Sequence, residues 1–64
     1  MKINTAVIKA AIAEKGLTQR ETAEKAGFAQ PQFSAMLARG TATCKSAGRI
    51  AAALELPVSA ILQP

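Results

Sequence analysis

The chain has no aspartate, histidine, tryptophan or tyrosine, and a single cysteine, Cys44. Each absence closes off some chemistry. Without histidine or aspartate, the acid–base groups are four glutamates at helix-surface or capping positions. Ser34 and Cys44 lack a base partner that could activate them, so an enzyme is not expected. One cysteine cannot form an intrachain disulfide, and without histidine or aspartate it cannot build a zinc site; no metal is expected. No glycine-rich loop is present to hold a nucleotide, so no cofactor or small-molecule ligand is expected. No apolar run is long enough to span a bilayer, because Lys9, Glu14, Arg20 and Glu24 interrupt the first half. No secretory leader is visible, since Met1 to Thr5 lead straight into an amphipathic segment. The expected location is a reducing cytoplasm.

What remains is a short, alanine-rich, basic chain. Its 64 residues suit one small domain, residues 1–64. Half the residues are hydrophobic, but many of these are alanine, and the aromatics are only Phe28 and Phe33. Alanine-rich helices bring backbones close, so a small all-α core is expected, modestly stable and helped by a partner or a second copy. The net charge of +4 comes from eight Lys and Arg against four Glu. On so short a chain that excess favours a polyanion.

The periodicity predicts five helices and no sheet. The first runs from about Asn4 or Thr5 to Lys15, with Ile8, Ala11 and Ile12 on one face, and stops at Gly16. The second opens at Thr18, which with Glu21 makes a capping box, and ends at Gly27. The third spans about Gln30 to Ala38, with Pro31 in its first turn, and ends at Gly40. Thr43 is the expected cap of a fourth, about Cys44 to Leu54. Pro57 turns the chain into a short fifth, Val58 to Leu62. No segment alternates with strand period.

The stretch Gln19 to Ala38, QRETAEKAGFAQPQFSAMLA, is the most informative. Ala23 stands four positions before Gly27, and Phe28, Phe33 and Met36 follow. A small residue lets the second of two helices approach the first. A glycine takes positive φ at the corner between them. The three large apolar residues then return to one core. Two short helices written this way form a helix-turn-helix, which presents its second helix to the DNA major groove.

The run GLTQRETAEKAG, then Gln30, Phe33, Ser34 and a helix ending at Gly40, resembles the Cro/C1-type (XRE) helix-turn-helix family. The later run IAAALELPVSAIL is similar to that family's fourth and fifth helices. The resemblance covers Ile8 to Leu62 and implies a compact five-helix DNA-binding domain of the lambda-repressor-like fold, with double-stranded DNA as partner. Several positions depart from the pattern. Thr22 stands where a large apolar residue is usual, and Thr22→Leu is expected to stabilise if there is space. Ala29 replaces a Ser or Thr cap, and the segment Leu37–Gly40 is one residue longer than the common form. Leu37 and Ile12 occupy sites of a buried Glu–Arg pair, and Glu55 replaces a helix-ending glycine.

The resemblance assigns base reading to the start of the third helix: Gln30, Gln32, Ser34 and Ala35. Glutamine can pair bidentately with adenine, and Ala35 can meet a thymine methyl. Each glutamine also reads as a solvated residue at a helix start, and Ser34 as a hydroxyl bonded to its own helix. Phosphate contacts fall to Gln19, where the family places a glutamine for that purpose, and to Arg20, Arg39, Thr41 and Lys45, four to six per subunit. Lys2, Lys9, Lys25 and Arg49 are assigned to solvent. Cys44 reads as a small buried hydrophobe, and Gly48 as a point of close helix approach. Leu56, Val58, Ile61 and Leu62 exceed what so small a core can bury, so they are the expected dimer interface. The function implied is a sequence-specific transcriptional regulator, a Cro-like repressor of phage or bacterial type, acting as a weak homodimer. An antitoxin, or a protein-binding anti-repressor module that has lost DNA reading, remains the alternative.

Overall fold

Three of the five helices begin at a side chain that caps them. The computed structural model describes Met1–Gln63. Its elements are α1 (Thr5–Glu14), α2 (Gln19–Ala26), α3 (Gln30–Arg39), α4 (Cys44–Ala53) and α5 (Val58–Ile61). The Asn4 side chain accepts from the Val7 N–H at 3.2 Å, and Thr43 from the Ser46 N–H at 3.1 Å. At α2 the capping box closes in both directions. Thr18 Oγ1 accepts from the Glu21 N–H at 3.1 Å, and Glu21 Oε1 from the Thr18 N–H at 3.0 Å. α3 and α5 have no side-chain cap. Ala29 cannot supply one, so the start of α3 must be held by something else.

The helix ends are equally legible. Gly27 (φ 81) and Gly40 (φ 71) close α2 and α3 in the left-handed region. The residues Leu37–Gly40 are simply the last turn of α3 and its cap. After α4 it is Glu55 that takes positive φ, at 57, and Leu56 donates its N–H back to the Ala51 carbonyl at 2.9 Å. The left-handed turn is made here by a glutamate, a residue for which it is strained.

The core lies among the five helices, and Ile3, Phe28 and Ala42 add to it from the segments between and before them. Phe33, Ile8, Ile50, Leu54 and Ile61 are fully enclosed, with Ala23, Ala47 and Ala51 setting close helix approaches. α2 packs on α3 and α4, α4 also on α5, and α5 on α1. Ile12 and Leu37 both belong to this core, so an apolar pair stands where charges would have to be desolvated.

Several expectations need correction. Met1–Ile3 is not a free lead-in. It lies extended between the α3–α4 loop and the end of α5, with isolated antiparallel bridges Lys2–Thr41 and Ile3–Leu62. Ile3 is 2% exposed. A three-residue segment carries no period, so it was invisible to a periodicity argument. Cys44 is exposed rather than buried. Capped by Thr43, it stands on the first turn of α4, beyond the edge of a core that starts at Ala47. Thr22 is fully buried, and its hydroxyl donates to the Thr18 carbonyl at 2.9 Å. A leucine there would forfeit that bond and add volume at a fully enclosed position.

Gly48 does not mark a close approach: a Cβ added there meets nothing within 4 Å. It is then only a poor helix former inside α4. Gly48→Ala should stabilise the domain by about 1 kcal/mol, read as a higher denaturation midpoint at unchanged slope.

Candidate nucleic-acid interface

α3 buries Phe33, Met36 and Leu37 against the rest of the molecule. The helical period then turns Pro31, Ala35 and Ala38 outward, with Gln32 and Arg39 beside them, and all five are exposed. Gln30 is exposed at the N-terminal end. Ser34 is half-buried on the flank nearer α2, and its hydroxyl donates to Gln19 Oε1 across 3.4 Å. So the first residue of α2 and the middle of α3 share one rim. Gln19, Ser34, Gln32 and Ala35 are brought to the open side of the α2–α3 pair.

The opposite end of α3 carries Arg39, Thr41 and Lys45, all exposed. The loop that bears Thr41 is pinned by the N-terminal segment. Ile3 donates its N–H to the Gly40 carbonyl at 2.9 Å, and Ala42 donates to the Met1 carbonyl at 3.0 Å. The Met1 amino group donates to the Ala42 carbonyl at 2.9 Å. A fixed backbone here holds Thr41 and the start of α4 in place. It also brings Lys2, assigned to solvent from the sequence, opposite Thr41.

Charge separates along the chain in a way the bulk composition hides. Between Lys25 and Leu54 there is no acidic residue, and Lys25, Arg39, Lys45 and Arg49 account for the whole excess of +4. The other four cations are balanced by the four glutamates. Two of those cations are paired: Lys15 with Glu55 at 3.2 Å and Arg20 with Glu24 at 3.4 Å. Arg20 thus has an acidic neighbour on its own helix, which Arg39 and Lys45 lack. A count of charge by segment would have shown this polarity from the sequence.

Arg49 is exposed, as the sequence assigns it, but its side chain is engaged. Its Nε donates to the Ala26 carbonyl at 2.9 Å and Nη2 to the Gly27 carbonyl at 2.8 Å. Its guanidinium carbon lies 4.6 Å from the centroid of the Phe28 ring. No sequence spacing links position 49 to the corner at 26–28; only the packing of α4 on α2 does.

The expected dimer surface also changes. Ile61 is 0% exposed and belongs to the monomer core, so it is withdrawn from that surface. Leu56 and Leu62 are half-buried against the same core, and Val58 is exposed at 37%. A stable pair needs about 800 Å² per partner. Against a total surface of 3781 Å², one valine and the margins of two leucines do not supply it.

A scan against protein-family models and searches of curated proteins and of solved structures return no match to this chain.

Proposed function

We propose that the chain is a sequence-specific DNA-binding regulator of the Cro/C1 type, in which α2 and α3 form a helix-turn-helix and α3 enters the major groove. One observation carries the reading: the acid-free, net-positive half of the chain has the outward face of α3 at its centre. The resemblance of Ile8 to Leu62 to that family, and the left-handed corner at Gly27, support it. Gln32 and Gln30 are the base-reading side chains, with Ser34 at the rim and Ala35 facing thymine methyls. Gln19, Thr41, Arg39 and Lys45 hold phosphates on either side. Pairing of two copies is left to adjacent half-sites on DNA, with centres ~34 Å apart.

A second reading has its own support. Pro31, Ala35 and Ala38 make much of the outward face of α3 small and apolar, with its one arginine, Arg39, at the last residue. Such a face suits a protein partner, as in an antitoxin or an anti-repressor. Selection of bound fragments from random duplexes separates the two. An enriched motif is expected, and its absence counts for the protein partner. On the recovered duplex, Gln32→Ala should cost ~1–3 kcal/mol while binding to random duplex barely changes. Equal losses on both would show that α3 is not the reader. Because Arg20 is paired and Arg49 engaged, Arg39 and Lys45, with Lys25 at the margin, set the salt response. The slope of log K against log salt should be about −2 to −3 per protomer. A flat titration removes DNA as the partner.

A further inference from the structure

Arg49 makes three contacts across the molecule, and all three fall on the corner between α2 and α3. Ala26 is the last residue of α2 and Gly27 its cap. Carbonyls at a helix C-terminus lack intrahelical partners and carry the negative end of the dipole. The guanidinium fork satisfies two of them at 2.9 and 2.8 Å. Its plane lies over Phe28, the first residue beyond the corner, which is 7% exposed. The backbone of the corner is closed from inside: Gly27 donates its N–H to Glu24 and Phe28 to Ala23. Arg49 closes it from outside.

That matters because the start of α3 has only Pro31 to pre-set its first turn. Ala29 gives no side-chain cap. α3 packs on α2, whereas α4 packs on α2 and α5. α3 is thus held relative to α4 at two places, by the loop after Gly40 that Met1–Ile3 pins and by the corner that Arg49 grips. We infer that Arg49 is a positioning residue for recognition: it sets how α3 is presented, and it is not itself a phosphate ligand. This rests on the DNA-reading proposal above. Lysine is not equivalent, since an ammonium lacks the rigid planar fork that reaches both carbonyls while lying over the ring.

The test compares the parent, Arg49→Met and Arg49→Lys on the duplex recovered by selection and on a random-sequence duplex pool, each at two salt concentrations. Thermal melts confirm that each variant is folded. Amide hydrogen exchange is followed at Gly27, Phe28 and Gln30 in all three proteins without DNA. Arg49→Met should lose about tenfold in affinity for the selected duplex and far less on the random pool. The salt slope on the pool should stay near the parent's, and exchange at the corner should quicken while α1 stays protected. Arg49→Lys should restore little of the discrimination. If affinity falls equally on both duplexes and the slope drops by about 0.9, Arg49 is a phosphate ligand and the inference is wrong. Full rescue by lysine, or parent-like exchange at Gly27 and Phe28 in Arg49→Met, overturns it as well. Failure of the parent to enrich any duplex sinks the DNA reading instead, and the exchange data still decide whether Arg49 holds the corner.

Discussion

Gly27→Val should cost the domain about 3 kcal/mol or more, combining strained backbone with lost charge-assisted hydrogen bonds. At φ 81 a β-branched residue is strongly disfavoured. A second effect comes from outside the turn. A Cβ at this position collides with the Arg49 guanidinium. The arginine is long enough to swing away, so the overlap itself is cheap. Swinging away, however, gives up the bonds to Ala26 and Gly27 and the contact with Phe28. The two costs separate in a double-mutant cycle. Gly27→Ala should be clearly destabilising in the parent and less so in an Arg49→Met background, where the collision is gone. Strictly additive melts would mean that the corner and Arg49 are independent. Parent-like stability of Gly27→Val would mean that the chain does not turn there.

The parts of this structure legible in the sequence are those written in short-range rules. The Thr18–Glu21 box, the Thr43 cap, Pro31 in a first turn and glycines at 27 and 40 each act within a few residues, and each stands where those rules put it. Phe33, Met36 and Leu37 follow the same logic, because the helical period dictates which face of α3 they share. What could not be read were contacts between segments far apart in the chain. Met1–Ile3 pairs with residues 41 and 42 and with Leu62; Arg49 reaches back to 26–28. Neither has a periodic signature. Cys44 was misplaced for a related reason: the helical register is periodic, but the edge of the core is set by which neighbours overlie the first turn. The candidate site divides likewise. The exposed face of α3 follows from its buried face, whereas the Gln19–Ser34 contact at its rim needed the packing of α2 on α3.

Ile61→Glu should unfold the protein. A domain of this size has roughly 3–10 kcal/mol of stability in all. Ile61 is 0% exposed in the only position from which α5 can reach the core. Removing its apolar burial costs about 2–3 kcal/mol, and an unpaired carboxylate in its place costs several more. The damage spreads through the backbone. The Ile61 carbonyl accepts the Asn4 N–H at 2.6 Å, at the residue that caps α1, and Leu62 is bridged to Ile3. Losing α5 therefore loosens α1 and the segment that pins the α3–α4 loop. Circular dichroism at 25 °C should show little helix in Ile61→Glu, whereas Ile61→Val should remain folded with a loss of about 1 kcal/mol. Val58→Glu, three residues away but on the exposed side, should change stability by no more than about 0.5 kcal/mol. It is thus Val58, not Ile61, whose charge variant can probe pairing on adjacent half-sites without unfolding the chain. A cooperatively folded Ile61→Glu would mean that α5 docks by another face, and it would return Ile61 to the surface between copies.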